Sequence, residues 1–418
     1  PDENGADQTS ALSYLILQAA RLLKSTCNIT IRVHDGLPEA LFDEGVRCLV
    51  EERQSFPRFS GDAALCSGFV KNGYPVELAR RRIALGCNWM SLPGLEYCMN
   101  DLVKVNFAKV FEVAWKAARC ESTEALYRAF AEHLQKAVHI TGQGIAFHLA
   151  HQWENEPELL LNLLSAGPIE TGLDASHGGA QYYNLAIDGA ALATVADVFT
   201  ALEQRVEREG LLTFDDIFCA TESDFKDAPQ VQKLLALSEK YGNSERGDAW
   251  AQRIMRDFTD KVRAEAKHIP FVKPIVLIPG LFSWADTVRL GKSVGALPNG
   301  RRAGEPISQG ANPSVGFRRD GAVTAMAAAV ASVQPGYGNT APLQLEVDFG
   351  SLDIAQAASC LKTLIRSHFA LGGTLMNINV VDERQILAAS QDPEAYPDLI
   401  VRVTGFTAYF ANLSPDFR

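Results

Sequence analysis

Apolar residues recur at three- and four-residue spacing in several segments, which is typical of amphipathic helices. This spacing predicts helices at 105–120, 190–208 and 351–370, with Ser351 and Asp353 as cap residues of the last one. Another helix followed by a turn is predicted within 222–250. Short apolar runs predict strands at 272–282, 342–349, 374–381 and 399–403. Single strands that alternate with helices need crossover connections, so the pattern predicts an α/β fold with mainly parallel strands.

The periodicity breaks between Gly291 and Gly310. Pro298 and the pair Asn299-Gly300 lie in this stretch and are typical of turns. We therefore predict two domains, residues 1–296 and residues 297–418.

Composition excludes some classes of protein. The net charge of −11 disfavours sequence-independent binding of nucleic acid, which requires a basic surface. No apolar run is long enough to span a bilayer, so we expect no membrane segment. The eight cysteines are scattered without a C-x-x-C pair, which is typical of reduced thiols and predicts a cytoplasmic protein. The first residue is Pro1 rather than Met, so we expect the sequence to begin inside a longer chain.

One segment matches the nucleophile motif of serine hydrolases. Residues 291–295 read G-x-S-x-G around Ser293, and His177-Gly178-Gly179 is similar to an oxyanion-hole loop. That motif requires a strand before the serine and a helix after it. The residues before Ser293 are not rich in strand formers, and Pro298 interrupts any following helix. We reject a serine hydrolase, although labelling of Ser293 by a fluorophosphonate would revive it.

The C-terminal segment 399–410 carries the most specific pattern. Its sequence LIVRVTGFTAYF places Gly405 after an apolar run, which by itself is also typical of a bend at a strand end. The segment resembles the radical-bearing tail of glycyl radical enzymes, R-V-x-G-[YF]-x-x-x-F. Upstream, residues 372–382 resemble the strand that leads into this tail.

Other segments extend the resemblance over most of the chain. Cys87 lies in ALGCNWM after GYPVELAR, which is similar to the G-x-[SP]-x-E-x-A-R…G-C approach to the catalytic cysteine of the family. Further blocks of similar sequence lie at 178–184, 193–197, 298–308 and 312–316, the last with Asn312 where the family has Ser.

The resemblance implies a barrel of mainly parallel strands in two halves, wrapped by helices, in which the Cys87 and Gly405 loops meet. It implies a pyruvate formate-lyase-like barrel domain and a glycine radical domain, each incomplete at its outer end. A radical S-adenosylmethionine activase would install the radical on Gly405, and Cys87 would become the thiyl radical. The enzyme would be an anaerobic, commonly homodimeric protein that acts on a small molecule and binds no metal or other cofactor.

The active-site signature departs from those of the family. Radical dehydratases and lyases carry C-x-E, and here Trp89 replaces the Glu; pyruvate formate-lyase carries two adjacent cysteines, and here Asn88 follows Cys87. Radical cleavage or rearrangement of C–C or C–heteroatom bonds, of either the formate acetyltransferase-like or the lyase- or dehydratase-like type, therefore stays open. A spare-part protein that replaces a damaged glycyl radical domain is a further alternative.

The remaining pocket candidates follow from position alone. Asn88 and Trp89 adjoin the thiol, Glu96 follows closely, and Glu346 alternates with Gln344 along a predicted strand. Trp89 could equally pack in the core. Glu96, with Tyr97, Asn100 and Asp101, could equally anchor a loop and cap the next helix.

Overall fold

The computed structural model describes all residues except 24–25, 54, 119–120, 283–285, 319, 321–322, 339, 351 and 404, and it leaves the side chains of residues 100, 101 and 417 undescribed. The predicted cap Ser351, the thiol Cys120 and the side chains of Asn100 and Asp101 thus lie outside the description. The chain forms two compact units. Unit 1 comprises residues 1–90 and 336–418, and unit 2 comprises residues 91–335. The domain boundary at 296/297 stays a prediction.

The helices lie throughout both units. They are α1 Ala11–Leu23, α2 Glu39–Val50, α3 Asp62–Lys71, α4 Val76–Arg81, α5 Phe107–Ala117, α6 Thr123–Asn155, α7 Leu159–Leu164, α8 Pro168–Thr171, α9 Leu192–Leu202, α10 Phe214–Glu222, α11 Pro229–Ala236, α12 Glu245–Glu265, α13 Thr287–Lys292, α14 Val323–Ser332, α15 Ile354–Ala370 and α16 Glu383–Gln391. Among the described residues, none of these helices is both long and apolar enough to cross a bilayer.

Two long strands lie in unit 2, and the other strands are short. They are β1 Thr30–Val33, β2 Arg58–Gly61, β3 Ile83–Leu85, β4 Trp89–Ser91, β5 Glu96–Asn106, β6 Tyr182–Ala190, β7 Ile275–Gly280, β8 Leu343–Val347, β9 Leu375–Val380, β10 Ile400–Arg402 and β11 Thr407–Tyr409.

Several predicted elements are present with shifted ends. The helix predicted from residue 105 begins at Phe107, because β5 continues to Asn106, whose side chain accepts a hydrogen bond from Lys109 N and caps α5. The predicted helix 190–208 is α9, which continues as a π-helical stretch, Glu203–Arg208. Asp353 caps α15 as predicted. The helix predicted within 222–250 is α11. The four predicted strands are β7, β8, β9 and β10.

Unit 1 contains a four-stranded sheet in the order β1-β2-β9-β8. β1 and β2 are parallel, β8 and β9 are parallel, and β2 and β9 are antiparallel. Unit 2 contains a three-stranded parallel sheet, β5-β6-β7. The expectation of an α/β fold with parallel strands, divided where two strands run antiparallel, is therefore confirmed.

The sheet of unit 1 has one apolar and one mainly polar face, because side chains alternate along each strand. Phe59 of β2 pairs with Met376 of β9 on the apolar face, and both are fully buried. The other face carries polar side chains that are also buried: Arg58, Ser60, Gln344, Asn377 and Asn379. Buried polar groups are uncommon and require hydrogen-bond partners. The segments that cover this face are therefore expected to supply such partners.

Candidate functional site

The turns that carry Cys87 and Gly405 both cover the polar face of the unit 1 sheet. Gly86, Cys87 and Asn88 connect the paired strands β3 and β4, and Gly86 and Asn88 adopt positive φ angles of +44° and +82°. Glycine and asparagine are the residues that tolerate such angles best. The backbone N–H of Asn88 donates to Leu85 O at 2.9 Å, which closes the turn.

Gly405 lies in the turn of a second, antiparallel ribbon, formed by β10 and β11. Arg402 pairs with Thr407, and Val403 N donates to Phe406 O at 3.1 Å across the turn. Gly405 itself is buried.

Gly405 lies in direct contact with Cys87. A Cβ atom built on Gly405 would overlap the Cβ and Sγ atoms of Cys87 and lie 2.6 Å from its Cα atom. Because a Cα–Cβ bond is about 1.5 Å long, Cys87 Sγ lies within roughly 4 Å of Gly405 Cα. The two residues that the sequence singled out are thus brought together, with a separation that permits transfer of a hydrogen atom.

Two buried arginines bind the carbonyl oxygen of Gly405. Arg58 Nη1 donates to it at 3.1 Å, and Arg402 Nη2 donates at 2.9 Å. Arg58 Nη2 also donates to Gly86 O at 2.6 Å, and its Nε donates to Thr30 Oγ1 at 2.6 Å.

The same two arginines place positive charge beside the thiol. Burial lowers the pKa of Arg58 to about 10. Burial, followed by repulsion from Arg58, lowers the pKa of Arg402 to about 9. For both groups attraction to Cys87 acts in the opposite direction, and both stay protonated at neutral pH. Two cationic side chains therefore lie next to Cys87 and Gly405.

Asn88 is fully buried next to Cys87. Its Nδ2 donates to Ser60 Oγ at 3.4 Å, while its Oδ1 has no hydrogen-bond partner among the described residues. Asn377 is equally buried, and neither atom of its amide has a partner within the same part of the chain. An unmade hydrogen bond of a buried amide costs about 1–3 kcal/mol, so these atoms are suited to bind a polar ligand.

The other pocket candidates are in different surroundings. Trp89 begins β4 and is buried. Glu346 is exposed, and its carboxylate accepts from Gln344 Nε2 at 3.1 Å and Asn379 Nδ2 at 3.4 Å. Glu96 belongs to unit 2, where Leu92 N donates to its carboxylate at 3.2 Å. Their role as pocket residues stays a prediction.

The further sequence blocks in unit 2 contact one another. Thr194 N donates to Ser308 Oγ at 3.0 Å, and Ser308 N donates to Thr194 Oγ1 at 2.9 Å. Asp197 is buried and accepts from Tyr241 N at 2.9 Å and from Ser314 Oγ at 2.6 Å. These polar residues hold the blocks together, which is a structural role.

Ser293 lacks the surroundings of a hydrolase nucleophile. It follows helix α13 as its C-cap, and its Oγ donates back to Leu290 O at 2.7 Å. A nucleophile elbow has a strand in that place and a helix after the serine. The rejection of the hydrolase agrees with this geometry.

The sequence did not single out Arg58, Asn28, Ser60 or Asn377. A lone Arg or Asn on a short predicted strand carries no signal of its role, because the partners lie far away in the chain. The alternation of polar residues on β9 was the one available indication.

Two known protein families match most of the chain. Residues 1–288 match the family described as Pyruvate formate lyase-like, and residues 307–411 match the family described as Glycine radical. Isethionate sulfite-lyase of Oleidesulfovibrio alaskensis is 25% identical over an alignment of 447 positions, which covers 99% of this chain and 52% of that protein. Trans-4-hydroxy-L-proline dehydratase of Clostridioides difficile is 25% identical over 98% of this chain and 54% of its own length.

Solved structures share the fold. The B12-independent glycerol dehydratase from Clostridium butyricum superposes with a TM-score of 0.91 at 24% identity, over 100% of this chain and 55% of that chain. A glycyl radical enzyme from Archaeoglobus fulgidus superposes with a TM-score of 0.90 at 25% identity, over 100% and 55%. The chain thus spans about half the length of the relatives that it matches.

Proposed function

Because the chain belongs to the pyruvate formate lyase-like family of glycyl radical enzymes, we propose that it carries the radical centre of an anaerobic enzyme. Gly405 stores the radical and Cys87 transfers it to the substrate. The contact between Gly405 and Cys87 supports this proposal most strongly, since it brings the two residues within reach of direct hydrogen-atom transfer.

The proposed cycle moves one hydrogen atom at a time. The Gly405 Cα radical takes the hydrogen of the Cys87 thiol, so that the S–H bond breaks, a Cα–H bond forms and a thiyl radical remains. The thiyl radical then takes a hydrogen from a substrate C–H bond. After the substrate radical has reacted, the product radical takes the hydrogen back from Cys87, and Cys87 regains one from Gly405.

We propose that the reaction breaks a carbon–heteroatom bond. Among the similar proteins, isethionate sulfite-lyase, trans-4-hydroxy-L-proline dehydratase and (2S)-3-sulfopropanediol dehydratase are named for lyase or dehydratase activity. Asn88 in place of a second cysteine disfavours chemistry of the formate acetyltransferase type. Trp89 occupies the place of the usual catalytic Glu, so proton transfer in this site needs another group.

We propose Asn88 as the substrate ligand nearest the thiol. Its amide is buried, one end is bound to Ser60, and the other end has no partner among the described residues. Since Ser60 Oγ can donate or accept, either orientation of the amide leaves one end open to a hydroxyl, carbonyl or amine of the substrate. Trp89, Glu96 and Glu346 are the further candidates.

We propose that a radical S-adenosylmethionine activase removes the Gly405 hydrogen, and that the protein acts in the cytoplasm as a homodimer. The family supports the first of these proposals, and the reduced-thiol pattern of the sequence supports the location. The resemblance alone supports the dimer.

Electron paramagnetic resonance tests the proposed function. Anaerobic activation of the native-length protein should produce a doublet from the single α-hydrogen of a glycyl radical. The doublet should collapse to a singlet when the protein is labelled with α-deuterated glycine, and it should be absent from Gly405→Ala. A fully activated wild-type protein without this doublet would refute the proposal.

A further inference from the structure

A closed ring of hydrogen bonds joins the turn of Cys87 to the turn of Gly405. Gly405 O accepts from Arg58 and Arg402, and Gly86 O, which directly precedes Cys87, accepts from Arg58 and from Asn28 Nδ2 at 2.6 Å. Arg402 Nη2 donates to Asn28 Oδ1 at 3.0 Å and completes the ring.

Arg58 contacts both turns with one side chain. Its guanidinium is planar and holds its donors at fixed angles, so its two Nη atoms impose one relative position on Gly86 O and Gly405 O. Thr30 Oγ1 binds Nε from the neighbouring strand β1 and keeps the side chain from rotating. Arg58 begins β2 on the polar face of the sheet and is 2% exposed, so solvent does not compete for these donors.

We propose that Arg58 is a positioning residue that aligns Cys87 Sγ with Gly405 Cα for hydrogen-atom transfer. Transfer of a hydrogen atom depends steeply on the separation and direction of the two heavy atoms. A buried guanidinium that binds one carbonyl oxygen in each turn fixes both the separation and the direction. This inference rests on the proposed function, and it adds a residue that acts through Gly86 and Gly405 rather than on the substrate.

The exchange of the glycyl hydrogen with solvent measures this alignment without a substrate. In D2O the Cys87 thiol becomes S–D. Reversible transfer first forms a Cα–D bond at Gly405 and leaves a thiyl radical on Cys87. The return transfer that breaks the Cα–H bond forms S–H and leaves the radical on a carbon that carries deuterium, so the doublet collapses to a singlet. The rate of collapse reports transfer between the two residues alone.

The variants Arg58→Met and Arg58→Lys should carry the glycyl radical, and the α-hydrogen of this radical should exchange with solvent slowly. We expect at least a tenfold slower collapse in Arg58→Met, because both bonds to the turns are lost, and an intermediate rate in Arg58→Lys, because one ammonium keeps the charge but cannot hold the two carbonyls in a fixed fork. Arg82→Met is the matched control. Arg82 is a fully buried arginine of the same unit that donates to Met90 O and stacks on Phe69, so its loss tests general damage to a buried cation.

The outcomes separate this inference from the proposed function. Collapse at the wild-type rate in Arg58→Met would overturn the positioning role. Loss of the radical from Arg58→Lys while Arg82→Met activates normally would also overturn it, since Arg58 would then serve radical installation rather than transfer. A wild-type protein with no doublet would refute the proposed function itself, and Cys87→Ala, which should keep the doublet and never exchange, verifies that the thiol carries the transfer.

Discussion

A Cβ atom on Gly405 would occupy the space of the Cβ and Sγ atoms of Cys87, so the position of the cysteine excludes every side chain at residue 405. A glycyl radical needs a residue that can become planar at Cα, and packing gives a second, independent reason for glycine. The two reasons can be separated experimentally. A packing clash lowers the stability of the protein before activation, whereas the stability of the radical matters only after activation.

Gly405→Ala should therefore destabilise the protein before any radical is formed. Overpacking of a buried position costs roughly 1–3 kcal/mol. Urea denaturation of the unactivated protein under anaerobic conditions should show a loss of this size. In a Cys87→Gly background the same substitution should cost less, because the Cβ and Sγ atoms are gone, and the double-mutant cycle should give a coupling energy of about 1 kcal/mol or more.

Gly144→Ala is the control for this experiment. Gly144 lies within helix α6, and a Cβ there would meet no atom within 4 Å, so alanine should be neutral or stabilising. Equal losses from Gly405→Ala with and without the Cys87 side chain would contradict the packing argument.

Cys87→Ala should accept the radical and abolish turnover. The glycyl radical forms at Gly405, whereas the substrate hydrogen is taken by the thiol, so only the second step is lost. The doublet and the product should be measured on the same samples. Cys27→Ala is the matched thiol control, because Cys27 lies in the same unit and burial raises the pKa of its thiol, and it should keep both signals. Turnover by Cys87→Ala would contradict the assignment.

The pairing of Cys87 with Gly405 was accessible from the sequence, because both residues lie in glycine-containing turns with long, specific flanking patterns. Strands β7 to β10 and helices α9 and α15 were accessible as well, since their apolar periodicity is strong. The exact ends of the elements could not be predicted from the sequence. β5 displaces the start of α5 to Phe107, since the sheet pairing of Val105 and Asn106 with β6 outweighs their helical periodicity.

The ring around Gly405 could not be predicted, for a physical reason. Arg58 and Gly405 are 347 residues apart, and the bond between them depends on which strands become neighbours in the sheet. Buried arginines are also indistinguishable in sequence from the exposed arginines that are far more common. Glu346, in contrast, could be singled out from the sequence, because it alternates with Gln344 along a predicted strand. Its carboxylate contacts neighbouring amides.

Asn88→Ala should destabilise the protein more than Asn88→Gly does. Asn88 has a φ of +82°, a region in which alanine costs about 1–2 kcal/mol and glycine is unstrained. Both variants remove the bond to Ser60 and the buried Oδ1, so the difference between them isolates the backbone. Urea denaturation should give that difference as about 1 kcal/mol in favour of glycine. Equal stability of the two variants would mean that the turn holding Cys87 is not restrained in this conformation.

The ionisation of Asp197 should make the protein less stable as the pH rises from 4 to 7. Burial raises the pKa of this carboxyl to about 6, whereas its ordinary value is 3.8. Between these values the folded state binds a proton that the unfolded state does not bind, so the stability is fully present below pH 4 and is lost as the pH rises through about 6. The loss amounts to roughly 3 kcal/mol at most.

Asp197→Asn removes this ionisation and should flatten the dependence, as measured by urea denaturation at intervals between pH 4 and 7. Asp216→Asn is a control of opposite sign: hydrogen bonds from Thr213 lower the pKa of Asp216, so this carboxylate stabilises the fold at neutral pH and its contribution is lost as the pH falls. If Asp197→Asn keeps the full wild-type dependence, the carboxyl of Asp197 is not the group that titrates. A buried bond from Ser314 to a permanently ionised Asp197 would then account for the contact between the two sequence blocks.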